Sequence, residues 1–214
     1  MGVPGAAAHD GHTADQAILS TVLQDAVRII EAADIPYVII GGTASFIHGR
    51  ARCSGDIDFL VRPDDAPGVL EALQANGFET ERTNEHWLFK AFRDGVLVDI
   101  LFRSCGDIFL DDEMLARSII GEFRGCRLRL VPPEDLVVIK AIAYDEQTPR
   151  HWYDALGIIA TAELDWDYLL RRARRAPRRV LSLLIYATSD DLLVPTEVIR
   201  RLYDCVFGEV LTKK

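Results

Sequence analysis

Residues Gly41–Val61 read GGTASFIHGRARCSGDIDFLV, a glycine pair followed, after a short spacer, by Asp56-Ile57-Asp58 at the head of an apolar run. In a strand, residues two apart share a face, so Asp56 and Asp58 project together while Ile57 and Phe59 take the other side. A buried carboxylate is costly unless it is compensated, and two on one face also repel each other. A divalent cation would remove both penalties. Hard oxygen donors of this kind suit Mg²⁺, which keeps several waters and takes up substrate phosphates.

The flanking sequence supplies the rest of such a site. PYVIIGG (Pro36–Gly42) reads as a short buried strand ended by Gly41 and Gly42, and TASFIHG as one or two helical turns. Glycines between a strand and a helix let the backbone approach a ligand, and the free N–H groups that follow suit a triphosphate, with Thr43 or Ser45 adding a hydroxyl. Further on, HWLFKAF and VLVDILF flank Arg93-Asp94-Gly95, and Asp-Gly between apolar runs predicts a hairpin. Its second strand carries Asp99. If that strand lies beside DIDFLV, three carboxylates converge on one sheet face. Each signal alone has an ordinary reading: tight packing for the glycines, a solvated pair for Asp-x-Asp, a hairpin-face charge for Asp99. The conjunction is what points to a site.

Around this centre the expected architecture is α+β. Residues 15–33 space apolar side chains as an amphipathic helix, and APGVLEALQANG forms another, with Gly77 at its C-terminal cap. DDEMLARSII reads as a short helix and CRLRLV as a short strand. From Pro132 the pattern turns helical through five successive segments. The expected organisation is a disordered tail over 1–14, an α+β core with a small mixed sheet over 15–131, and a C-terminal helical bundle over 132–214.

Composition narrows the class. The chain has 214 residues, 49% hydrophobic and 27% charged, with a net charge of −9, which argues against a surface coated for general nucleic-acid binding. The four cysteines have no metal-binding spacing and read as reduced thiols of a cytoplasmic protein. No apolar run is long enough to span a bilayer, and the N-terminus lacks the pattern of a signal peptide. His9 and His12 read as part of a solvated tail. Against the negative background, RRARRAPRR gathers Arg171, Arg172, Arg174, Arg175, Arg178 and Arg179. The segment reads either as an exposed face balanced by the preceding acids or as a platform for an RNA backbone, with Trp166 and Tyr168 available to stack on bases.

The pattern Gly41-Gly42, Asp56-x-Asp58 and Asp99 resembles the nucleotidyltransferase superfamily typified by DNA polymerase β. The finer spelling, with His48-Gly49 and Arg52-x-Ser54 ahead of the acidic pair, is similar to minimal bacterial nucleotidyltransferases, including AbiEii-type toxins of toxin–antitoxin systems. Lys140, Arg150 and Asp154 match the second motif of those toxins in a looser form. The resemblance implies transfer of a nucleoside monophosphate from an NTP to an acceptor, dependent on Mg²⁺ or Mn²⁺. Asp56, Asp58 and Asp99 would hold metal, with Asp99 also able to take the acceptor's proton. Gly41, Gly42, Thr43, Arg52, Ser54 and Lys140 would bind the nucleotide. Read from the residues alone, Lys140 is equally a snorkelling surface lysine, and His48 a packing residue at a helix end. RNA (a tRNA, gripped through Arg171, Arg172, Arg174 and Arg175) or a protein is the expected acceptor, with an antitoxin as a further partner. A small-molecule, aminoglycoside-type enzyme and a catalytically silent nucleotide-binding module are the alternatives.

Overall fold

The computed structural model describes residues 8–49 and 55–211. Its centre is a seven-stranded mixed sheet in the order β3-β4-β5-β2-β1-β7-β6. The strands are β1 (Tyr37–Ile39), β2 (Ile57–Val61), β3 (Glu79–Asn84), β4 (Leu88–Arg93), β5 (Val96–Leu101), β6 (Ile119–Phe123) and β7 (Cys126–Leu130). Helices α1 (Ala8–Ala32), α2 (Gly41–Ile47), α3 (Ala66–Ala75) and α4 (Asp112–Arg117) accompany the strands. Helices α5 (Pro133–Ala143), α6 (Arg150–Thr161), α7 (Trp166–Ala173), α8 (Pro177–Ser189) and α9 (Thr196–Leu211) follow them. This is the expected α+β order. Helix α1 starts inside the stretch expected to be a tail, and residues 1–7 lie outside the described residues.

The sheet's register sets the site. β1 and β2 are antiparallel, and β2 and β5 run parallel with Asp58 opposite Asp99. The β4–β5 hairpin turns at Asp94 and Gly95, both with positive φ (52° and 77°), the backbone that a two-residue Asp-Gly turn requires. That turn fixes Lys90 opposite Asp99. Along β5, Val96, Val98 and Ile100 are buried while Leu97, Asp99 and Leu101 are partly exposed. Ile57, Phe59 and Val61 of β2 join the buried set, and α1 and α3 pack near these strands.

Two strands escape the sequence pattern. β3 (ETERTN) is polar on both faces, as an edge strand can be, and so shows no alternation. β6 was absorbed into the expected DDEMLARSII helix. The helix instead ends at Arg117, and Ile119 and Ile120 open the strand at the opposite edge of the sheet. Among the described residues, no helix is long and apolar enough to cross a membrane.

Candidate active site

The strand β1 delivers the chain to Gly41 at the edge of β2. The Ile40 N–H donates to the Asp58 carbonyl at 2.9 Å, which pins the glycine pair against the aspartate. Gly41 has φ +67°, and a Cβ placed there would lie 1.8 Å from Asp58 Oδ2. Only glycine fits both the backbone and the space. The Gly42 N–H donates to the Asp58 side chain. Thr43 is buried in the first turn of α2, and the Ser45 hydroxyl donates to the Gly41 carbonyl at 2.7 Å. The Ser45 hydroxyl is thus taken up by the first turn of α2.

Asp58 and Asp99 are neighbours across the parallel β2–β5 pair and share a sheet face. Burial and the adjacent charge of Asp99 push the Asp58 carboxyl up to about 6, with Asp56 adding to the rise and Lys140 opposing it. Burial raises Asp99 as well, with Asp56 adding to the rise and Lys90 opposing it. Asp56 itself is exposed, just ahead of β2. The three carboxylates thus feel one another's charge, as the Asp-x-Asp pattern required.

Among the described residues, no three His, Cys, Asp or Glu side chains form a ready-made metal cluster. The donor set nonetheless fits a hard cation. Two carboxylates crowd one face with raised proton affinity, and Asp99 Oδ1 has no hydrogen-bond partner among the described residues, its salt-bridge cation Lys90 lying 3.8 Å away. Such an incomplete protein shell suits an ion that completes its coordination with water and substrate phosphate oxygens.

Lys140 is neither a surface lysine nor a free phosphate cation. It is 6% exposed, and its Nζ donates to Asp154 Oδ2 at 2.9 Å, joining α5 to α6. Its charge still reaches Asp58. Arg52 and Ser54 lie outside the described residues. His48 is the packing residue expected at the end of α2: it is buried, its Nε2 lies 2.9 Å from the Val131 carbonyl, and burial lowers its proton affinity. Lys90 was missed by sequence reasoning. Its signal was the Asp94-Gly95 turn, whose two-residue register places position 90 across from position 99.

The arginine cluster is divided. Arg172 is turned inward, where it pairs with the buried Asp135 and with Asp111 Oδ2 at 2.5 Å. Arg171 pairs with Glu113 at 2.8 Å, and Arg175 donates to the Asp107 carbonyl at 2.5 Å. Tyr168 is fully buried, and its hydroxyl donates to Asp135 Oδ2 at 2.5 Å. Arg117 and Arg171 lie over its ring at 4.3 and 5.3 Å. Of the expected platform, Arg172 and Tyr168 are thus committed to internal contacts, while Arg171, Arg174 and Arg175 remain exposed. The buried side of α7 holds Tyr168, Leu169 and Ala173, and Arg172 lies one turn beyond Tyr168, so helical spacing already assigned it to that side.

A family model described as uncharacterised nucleotidyltransferase matches residues 6–193. Among solved structures, an antigenic nucleotidyltransferase-like protein from Paracoccidioides brasiliensis shares the fold at TM-score 0.51 and 15% identity, over 80% of this chain and 88% of that one. The antibiotic-resistance factor ANT(2″)-Ia aligns at TM-score 0.46 and 14% identity, over 92% and 95% of the two chains. The lincosamide antibiotic adenylyltransferase LnuA aligns at TM-score 0.46 and 15% identity, over 62% and 92%. No curated protein matches the sequence significantly.

Proposed function

We propose that this chain, which belongs to the uncharacterised nucleotidyltransferase family, transfers a nucleoside monophosphate from an NTP to an acceptor at Asp58 and Asp99, releasing pyrophosphate. The observation that carries the residue roles is the parallel register that sets Asp58 beside Asp99, with Gly41 pressed against the Asp58 carboxyl. Asp56, Asp58 and Asp99 would hold Mg²⁺ or Mn²⁺, which supplies charge neutralisation for the triphosphate and the leaving pyrophosphate. Gly41 and Gly42 keep the backbone low beside the carboxylates, leaving room for the phosphates. The acceptor oxygen attacks the α-phosphorus in line, and the bond from that phosphorus to the pyrophosphate oxygen breaks. Asp99, whose proton affinity is raised by burial, takes the acceptor's proton. Lys140, oriented by Asp154, places a fixed positive charge near Asp58. Lys90 does the same beside Asp99. Positioning and fixed charge provide the catalysis, with no covalent enzyme intermediate.

For the acceptor, RNA or protein, as in a toxin, stands against a small hydroxylated molecule of the aminoglycoside type. One experiment tests the reaction and sorts these classes. The chain is incubated with Mg²⁺, a cell extract and each NTP labelled at either the α- or the γ-phosphate. Label from the α-position should enter an acceptor, and label from the γ-position should leave in pyrophosphate. Acid-precipitable label marks a macromolecule, and acid-soluble label a small acceptor. Transfer of γ-label above that of the extract alone, or chain-dependent α-label transfer that persists in Asp58→Asn, refutes the assignment.

A further inference from the structure

The aromatic residues that sequence reasoning offered for base stacking are largely packed inside, with Tyr168 fully buried. A different set of rings lies next to Lys140. Tyr144 caps the C-terminus of α5, one helical turn (roughly 6 Å) beyond Lys140. Its ring lies 4.5 Å from that of Trp152, at an interplanar angle of 31°. Trp152 in turn lies 5.7 Å from Tyr186 of α8, which is 48% exposed. The three rings are in tilted contact, in a row that runs from beside the Lys140–Asp154 pair to the half-exposed Tyr186.

Two polar atoms lie on the same turn of α6. Both atoms, His151 Nδ1 and Trp152 Nε1, are buried and have no hydrogen-bond partner among the described residues. Buried polar groups almost always find partners, so two consecutive exceptions call for an explanation. Asp154, three residues further along the helix, holds Lys140, whose charge acts on both Asp58 and His151. The rim is cationic on two sides. Arg179 Nη1 donates to the Tyr144 carbonyl at 3.2 Å, and exposed Arg150 opens α6. Asp145, on the connecting loop, is occupied in capping Gln147, Thr148 and the Thr148 hydroxyl. A closed hydrophobic core needs neither the unpaired nitrogens nor the arginines. A flat, polar heterocycle attached to a phosphate uses all of them.

We infer that Tyr144, Trp152 and Tyr186 form a nucleobase-stacking site next to the buried Lys140–Asp154 pair. This rests on the proposed nucleotidyl transfer. The base belongs either to the NTP or to a nucleic-acid acceptor whose end lies at the carboxylates. Stacking is tolerant of base identity because every base has a π-face, so weak discrimination among the four NTPs is expected.

The test uses the full chain and direct binding titrations. The ligands are the four NTPs, ribose 5-triphosphate, which has no base, and a short single-stranded RNA. The variants are Trp152→Leu and, because its ring is already half exposed, Tyr186→Ala. If the site takes the NTP base, NTP Kd rises roughly five- to hundred-fold in Trp152→Leu and by less in Tyr186→Ala, while ribose 5-triphosphate binding stays at the wild-type value. If it takes an acceptor base, NTP binding is unchanged and RNA binding falls by a similar factor. Variants that bind both NTP and RNA like wild type overturn the site, as does a loss for ribose 5-triphosphate equal to that for NTP. A wild-type chain that binds no triphosphate sinks the underlying reaction instead, and the RNA titration then still decides the platform.

Discussion

Asp58 lies between Gly41 and Asp99, and both neighbours cost the fold something. The Gly41 backbone at φ +67° is unfavourable for any other residue by about 1–2 kcal/mol before sterics are counted. Gly41→Ala should therefore destabilise the chain and, because its Cβ would displace the Asp58 carboxyl, lower transfer by roughly a hundred-fold. A variant with normal kcat would show that the close approach of Gly41 is packing alone. Asp58→Asn should behave in the opposite way towards stability. It removes a buried charge that Asp99 and Asp56 disfavour, and the amide oxygen can still accept the Gly42 N–H. Without metal, thermal unfolding should show Asp58→Asn stabilised by about 1–3 kcal/mol, the usual trade between a charged site and fold stability, while transfer is abolished. A destabilised Asp58→Asn would mean that Lys140 and Gly42 compensate the charge better than its neighbours oppose it. At this scale the site was largely legible. The period of two in Asp56-x-Asp58 and the Asp94-Gly95 turn are local rules. The burial of Lys140 against Asp154 was not legible, because the two are on different helices and only packing brings them together.

Among the elements, α5 and α6 are joined through one buried pair, Lys140–Asp154, with side chains 7% and 2% exposed. Removing one partner leaves the other charged and buried, which costs about 3–5 kcal/mol, whereas replacing both by apolar residues is often nearly neutral. Lys140→Met and Asp154→Leu should each unfold at markedly lower denaturant, and the double variant should recover most of that stability. Its transfer activity should stay low, because the charge near Asp58 is gone. Recovery of activity in the double variant would reduce the pair to a structural clamp. The helices were readable from their apolar spacing, and their order follows the sequence. The strands were readable only where one face is buried. β2, β5 and β7 alternate or run apolar, whereas β3 has no apolar residue to place. β6 was hidden because Ser118 separates it from α4 with neither glycine nor proline to mark the break.

Across the whole molecule, the strand-bearing and helical parts meet at a charged hub. Arg172 of α7 pairs with Asp135 of α5 and with Asp111, the N-cap of α4, while the Tyr168 hydroxyl donates to Asp135. An arginine read from sequence as part of an RNA surface is thus a structural tie, and Arg172→Ala should lower stability before it alters any acceptor. Burial pushes the Asp135 carboxyl up to about 6, although Arg172 and Tyr168 both favour its charged form. The unfolded chain releases this proton near pH 4. Between those values the native state holds more protons than the unfolded state, so this group's contribution to stability falls as pH rises from about 4 to about 6 and is level above that. The difference between the two pKa values corresponds to about 3 kcal/mol. Asp135→Asn removes the titration while keeping the side chain's shape. Denaturant unfolding of both proteins at pH 4, 5, 6 and 7 isolates the term, because the other titrating groups largely cancel in the comparison. Wild-type stability relative to Asp135→Asn should fall across the interval by up to about 3 kcal/mol. A relative stability that rises with pH would show that the Arg172 pair outweighs burial and holds the carboxyl below its ordinary value.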